Sequence, residues 1–326
     1  MKVKLRHLVL ALLALLVLAV GAGTAATWAP DVPVEQLKAR WAQAPSQFVE
    51  VAGLQVHVRD EGPRDDPEPI VLLHGTSASL HTWEGWAREL RTNRRVVRFD
   101  LPGFALTGPN AQNDYSVDRY VAFVAAMLNQ LQLRRVVLAG NSLGGQIAWS
   151  FAGTHPERVA RLVLVDASGY PPESLKNRPS VPIGFRIANT PGLRWLMQNT
   201  LPRGVVDSSV RNVYGDPAKV TPELVDLYVA MTLREGNRKA LGRRFEQGYT
   251  GRTELLAKIK CPTLILWGGR DRLVPLESGE RFARDIADAR LVVLDTLGHV
   301  PHEEDPAATL REVRPFLSSP GPAPRP

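Results

Sequence analysis

The chain has one cysteine, Cys261, in 326 residues. An intrachain disulfide is therefore excluded, and so is any zinc site built on paired cysteines. Cys261 precedes Pro262 at the start of an apolar run, a context that fits a small buried hydrophobe rather than a reactive thiol. A long basic tract is also missing. Lys and Arg outnumber Asp and Glu by 40 to 33, a net +7, but the excess is spread as single arginines and small clusters without interleaved aromatics. Nucleic acid is therefore not expected as a partner. Charged residues make up 22% and hydrophobic residues 44%, which argues against disorder and is enough for one large core with an insertion.

What is present begins at the amino end. Lys2, Lys4 and Arg6 precede an uncharged stretch from Leu8 to Pro30, and its densest part, Leu8 to Val20, contains only Leu, Val and Ala. That pattern meets a membrane. Thr24-Ala25-Ala26 offers a small-residue cleavage site, but the helix-compatible run continues through Ala25, Ala26 and Trp28, so an uncleaved signal anchor is the expectation and a cleaved secreted form the alternative. The leading positive charges predict an amino end in the cytoplasm and a catalytic domain outside it. No cysteine follows the run directly, which excludes a lipoprotein anchor.

The chemistry centres on Gly140-Asn141-Ser142-Leu143-Gly144, which follows the β-branched run Val136-Val137-Leu138-Ala139 and precedes a helix-like stretch. A serine at a strand-to-helix turn is a nucleophile elbow, and side chains at Gly140 and Gly144 would collide with the neighbouring strand and helix. Three further segments fall where the mechanism needs them. His74-Gly75-Thr76 ends the run Ile70 to Leu73 and opens a loop that can supply an oxyanion donor; Asp271 lies just beyond Thr263 to Leu266; His299 follows Gly298 after Leu291 to Leu294. A serine hydroxyl needs a base, and the base needs a partner to fix its tautomer. Ser142, His299 and Asp271 fill these roles, with the backbone N–H groups of Leu143 and Thr76 facing the oxyanion and Ser77 as the alternative second donor. His302 is the rival base, and Asp166, ending a strand, is the rival acid. His74 reads as a loop brace, Asp100 as a residue fixing the loop after the fourth strand, and His57, His81 and His155 as structural or surface residues.

The order Ser, Asp, His and these motifs resemble the α/β-hydrolase superfamily over about residues 48 to 318. The Gly-Asn-Ser-x-Gly-Gly, Leu-Trp-Gly-x-x-Asp and Gly-His-Val-Pro segments look like those of capped bacterial serine esterases and lipases. They look more distantly like hydrolases that cleave carbon–carbon bonds in ring-fission (meta-cleavage) products. The resemblance implies an α/β fold, with a mostly parallel eight-stranded sheet, helices on both faces and a helical cap. In Asp100-Leu101-Pro102-Gly103-Phe104-Ala105 the chain departs from the family, with Ala105 where members often carry Gly.

Short runs with few charges give the expected strands, and Ser116 to Leu131 the clearest amphipathic helix. Residues 1–30 read as the anchor, 31–47 as a linker, 48–168 and 254–318 as the two parts of the core, 169–253 as the cap, and 319–326 as a disordered tail. In the cap, Trp195 and Phe245 are candidates for an acyl pocket. The expected function is serine carboxylic ester hydrolysis on a small-molecule ester with an apolar acyl group, without cofactor or metal. Carbon–carbon hydrolysis is the alternative and would recruit Trp267, Arg178, Arg186 and Arg194, although Val300 stands where a bulky aromatic often follows the histidine. A serine in the elbow disfavours dehalogenase and epoxide-hydrolase chemistry, and a non-catalytic binding protein would normally lose a triad member.

Overall fold

The computed structural model describes residues 2–171, 174, 175, 186, 190, 194–248 and 251–318. Eight strands form one sheet: β1 (Gln47–Val51), β2 (Leu54–Glu61), β3 (Ile70–Leu73), β4 (Val96–Phe99), β5 (Val136–Asn141), β6 (Val159–Val165), β7 (Thr263–Gly268) and β8 (Ala289–Leu294). Their order is β1-β2-β4-β3-β5-β6-β7-β8. β1 and β2 pair antiparallel, β2 meets β4 antiparallel, and every other pair is parallel. β3 to β7 are buried along their whole length, which is why they read as continuous apolar runs, whereas β8 at the edge is only partly covered.

Helices follow in chain order: α1 (Lys2–Ala26), α2 (Val34–Trp41), α3 (Glu84–Leu90), α4 (Val117–Gln130), α5 (Leu143–Thr154), α6 (Arg194–Asn199), α7 (Arg203–Val213), α8 (Pro222–Leu233), α9 (Asn237–Gln247), α10 (Leu276–Asp285), α11 (Pro301–Glu304) and α12 (Pro306–Ser318). Alternate strand residues feed two cores. Val71, Leu73, Leu138 and Leu164 join α4, α5 and Phe282 on one face; Ile70, Leu72, Val137 and Val163 join Trp83, Trp86, Leu310 and Val313 on the other. Each fully buried aliphatic side chain contributes about 1.5–3 kcal/mol, so the sheet is the rigid base for everything at its carboxyl edge. α4 starts where Ser116 caps it by accepting from Arg119 N, and its buried face carries Val117, Tyr120, Val121, Val124, Met127 and Leu128. α6 to α9 lie between β6 and β7.

α1 includes Arg6–Ala26, 21 residues long and apolar enough to cross a membrane, with none of that stretch buried. At 1.5 Å per residue it reaches about 31 Å, a bilayer's hydrocarbon thickness. The segment behind it is not free. Ala29 N donates to Asn199 O, Leu201 N to Thr27 O, Val32 N to Leu233 O and Glu235 N to Val32 O, while Asp31 accepts from Gly236 N and from the buried Arg238 guanidinium. Residues 27–32 are thus fastened to the insertion by backbone pairing. The sequence reading put the boundary between anchor (1–30) and linker (31–47) inside this stretch, since irregular backbone pairing leaves no side-chain signature.

Candidate active site

The chain leaves β3 for β4 on one side of the sheet and returns to β5 on the other. Loops after β3 and β5 therefore diverge and open a crevice at the carboxyl ends of the strands, the usual place for a ligand in such a sheet. The first loop starts at His74 and the second is Ser142 alone. Ser142 has φ 53° and ψ −116°, a backbone conformation costly for any residue with a Cβ. It is held there from both ends: its N–H donates to Val165 O at 3.1 Å, and its carbonyl accepts from Gln146 N at 2.9 Å and Ser168 N at 3.0 Å.

The glycines explain how so tight a turn packs. A Cβ on Gly140 would fall on the Gly144 carbonyl, one on Gly144 on the Leu73 carbonyl, and one on Gly145 against Ala167. A Cβ on Gly75 would come within 3.2 Å of Ser142 Cβ, so the loop after β3 lies directly against the serine. Among the described residues, the backbone N–H groups of Thr76, Ser77 and Leu143 have no protein acceptor. Leu143 also begins the twelve-residue α5, whose positive dipole end sits beside Ser142.

His299 lies on the loop after β8. Its Nδ1 meets Asp271 Oδ2 at 2.7 Å, and both side chains are almost wholly buried. Asp271 Oδ1 accepts from Leu273 N at 2.6 Å and Val274 N at 3.0 Å, which fixes the carboxylate. With Nδ1–H donated to Asp271, the Nε2 lone pair of the neutral ring is left for a proton. Ser142 Oγ and the His299 ring make no direct hydrogen bond among the described residues. Asn141 couples the two loops instead, its Nδ2 donating to Val165 O at 3.1 Å and His299 O at 2.9 Å. Glu304 adds a further clasp, accepting from Gly298 N, Gly215 N and Asp216 N at 2.8–2.9 Å, and so ties the histidine loop to the insertion. Sequence reading passed over both residues. Asn141 occupies a variable place inside the elbow pattern, and Glu304 sits in an acidic run that looks solvated.

The rivals are placed differently. His302 is fully buried with its ring 3.9 Å from that of Trp83, neither nitrogen is hydrogen-bonded, and burial, with His299 nearby, pushes its pKa down to about 3. It is a packed neutral ring. Asp166 directly follows β6 with φ 44°, is fully buried and accepts from Gly268 N at 2.8 Å. Ligand-type atoms of Asp166, Asp271 and His299 lie within 4.8 Å of one another, but the histidine bond goes to Asp271.

His74 braces the first loop: Nδ1–H donates to Gly75 O at 2.7 Å and Nε2 accepts from Leu101 N at 2.9 Å. Burial pushes its pKa down, so it stays neutral. Asp100 accepts from Leu80 N, Leu106 N and His57 Nδ1; burial opposes its charge, but the His57 ring brings its pKa down to about 2. Ala105, the departure from the family pattern, has φ 44°, the left-handed region that glycine enters freely.

Trp195 is 55% exposed and packs on Trp28, ring centroids 6.1 Å apart, rather than inside the fold. Its ring partner lies in the segment following α1. Phe245 is partly buried against the main core. Trp267 is fully buried in β7, with Nε1 donating to Val274 O at 3.2 Å. Arg186 is exposed and Arg194 opens α6. Arg178 and the tail 319–326 lie outside the described residues.

Comparison with known proteins supplies relatives. A family profile described as alpha/beta hydrolase fold matches residues 68–306. A 2-hydroxy-6-oxo-2,4-heptadienoate hydrolase of Pseudomonas putida is 30% identical over 84% of this chain and 96% of its own length. Among solved structures, a membrane phospholipase A described as a bacterial virulence factor is 27% identical at a TM-score of 0.73, covering 96% of this chain and 98% of that one. A meta-cleavage product hydrolase from Pseudomonas fluorescens IP01 is 25% identical at 0.70, covering 84% and 97%.

Proposed function

The chain belongs to the alpha/beta hydrolase fold family and is a hydrolase of that fold, and from this premise we propose that it cleaves carboxylic esters with an apolar acyl group through an acyl-enzyme on Ser142. In this reading His299 Nε2 takes the Ser142 proton as the hydroxyl attacks the ester carbonyl, and Asp271 stabilises the imidazolium that forms. The backbone N–H groups of Leu143 and Thr76 meet the oxyanion; their lack of a protein acceptor leaves them free to do so. His299 then gives its proton to the leaving alcohol. Water, activated by the same ring, releases the acid.

The observation that carries ester over carbon–carbon cleavage is α1 and its fastening to the insertion. The match to the membrane phospholipase A covers too much of this chain to leave out α1 as a whole, whereas the ring-fission hydrolases compared cover at most 85% of it. An enzyme whose insertion is stitched to a bilayer-length helix is suited to lipid-like acyl chains. Trp28 and Trp195, both more than half exposed and in contact just past the end of α1, fit the aromatic belt at a membrane–water interface. Lys2, Lys4 and Arg6 in the first turns of α1 support a catalytic domain on the outer side.

The test is a p-nitrophenyl ester series run beside a ring-fission dienoate on detergent-solubilised enzyme. The expected result is turnover of esters, rising with acyl length beyond acetate, and little on the dienoate. Dienoate cleavage with a kcat/KM above that of every ester would contradict the proposal. Protease added to spheroplasts should digest the catalytic domain, and carbonate washing should leave the intact protein in the membrane.

A further inference from the structure

Two carboxyl groups share the buried space behind His299, and only one takes part in the triad just proposed. Asp166 and Asp271 lie on the loops that follow the neighbouring strands β6 and β7, and carboxylate oxygens of the two, together with a ring nitrogen of His299, lie within 4.8 Å of one another. Two ionised carboxylates at that separation, out of water, repel strongly enough that one must hold a proton. Donor counting says which. Asp271 receives three N–H bonds, from Leu273, Val274 and the His299 ring, as an anion should. Asp166 receives one, from Gly268 N to Oδ1, and its buried Oδ2 meets no N–H or hydroxyl donor.

We propose that Asp166 is a neutral carboxylic acid whose Oδ2–H donates to the Asp271 carboxylate, making it a positioning residue that holds Asp271 in line with His299 and keeps a single negative charge behind the ring. The charged groups that reach Asp166 are Asp271, His299 and the Glu304 carboxylate on α11. Both carboxylates oppose its ionisation, as does burial, and its pKa is raised well above the ordinary carboxyl range. The left-handed backbone of Asp166 fits the same picture. Its N–H donates to Leu266 O at 3.0 Å and the strained turn aims the carboxyl at the β7 loop instead of at solvent. A buried acid that was only a structural brace could be replaced by any residue filling the space, whereas a neutral donor to Asp271 can be replaced only by another neutral donor.

The inference rests on Asp271 and His299 forming the triad with Ser142, and the experiment separates the two. The titration midpoint of His299, read by NMR on histidine-labelled full-length protein in detergent, does not depend on turnover or on what is hydrolysed. Asp166→Asn keeps a neutral donor; it should leave that midpoint within a few tenths of a pH unit of the parent and kcat within about threefold. Asp166→Leu removes the donor; it should lower kcat by about tenfold or more with KM little changed, and broaden or shift the His299 Nδ1–H resonance. If Asp166→Leu fails to fold, Asp166→Ser, which keeps a hydroxyl donor but not its reach, takes its place with the same expected loss. A drop of a full unit or more in the His299 midpoint of Asp166→Asn would mean that Asp166 carries a charge in the parent, and would overturn the proposal. Unchanged kcat and resonance in the donor-free variant would overturn it equally. Undiminished ester turnover by Ser142→Ala would instead refute the triad reading and leave the His299 titration standing.

Discussion

Among the described residues two Ser/His/Asp constellations stand out, and catalysis is proposed for only one of them. His299 meets Asp271 at 2.7 Å and His57 meets Asp100 at 2.8 Å, each pair buried. On hydrogen bonds alone the His57 constellation is the more complete, since His57 Nε2 also touches Ser46 Oγ at 2.8 Å, whereas Ser142 is not bonded to its histidine. Yet the Ser46 hydroxyl is already engaged: it also accepts from Arg59 Nε at 2.9 Å, and Arg59 in turn pairs with Glu84. Asp100 also accepts from Leu80 N and Leu106 N, so that network holds two loops in place. Around Ser142 the arrangement is reversed. Its backbone is forced to a positive φ, and N–H groups beside it are left without acceptors. Strain and unspent donors, rather than a His–Asp pair, separate a candidate reaction centre from a brace.

The largest expected break between the two is Ser142→Ala, which should cost at least about a thousandfold in kcat/KM and leave the melting temperature near the parent's. Loss of less than tenfold in an ester assay would put the nucleophile elsewhere. Asp100→Asn should do the opposite: weaken the fold by on the order of 2 kcal/mol in a denaturant titration, because a buried acceptor of three N–H groups is impaired, while the folded fraction keeps kcat within about tenfold. A catalytic loss as large as that of Ser142→Ala, with stability unchanged, would make the brace an active centre in its own right.

A smaller effect concerns the rejected base. The folded pKa of His302 is about 3, below the ~6.5 of an unfolded histidine, so the unfolded chain binds the proton more readily. Its contribution is full above pH ~6.5 and is lost as pH falls toward 3. At pH 5 the loss is about 2 kcal/mol. His302→Phe should therefore lose less melting temperature than the parent between pH 8 and pH 5; an equal loss would show that the ring is not a buried neutral group. The smallest effect is Ser46→Ala, expected to stay within about twofold of parent kcat/KM in the same ester assay, because its hydroxyl only bridges Arg59 and His57.

Much of this was legible in the sequence for local reasons. Gly140, Gly144 and Ser142 stand in a pattern that only a tight strand-to-helix turn requires, and apolar runs such as Ile70 to Leu73 announce strands covered on both faces. Long-range pairings left no such mark. The Ser46–His57–Asp100 chain joins residues from three separate segments, and Glu304 reaches 89 positions back to Gly215. The contact of Trp195 with Trp28 was equally hidden, because Trp28 lies beyond the helix end, where no periodicity links the two. Asp166 and Asp271 each fit the role of the acid, and only the count of donors around each carboxyl assigns them different charges.

Fluorophosphonate labelling followed by peptide mapping tests the central distinction most directly, since the reagent reports which hydroxyl is activated whatever the natural substrate. The account predicts one labelled peptide, containing Ser142, with labelling abolished in Ser142→Ala and His299→Ala and retained in Ser46→Ala. Modification of Ser46, or undiminished labelling of Ser142→Ala, would contradict it.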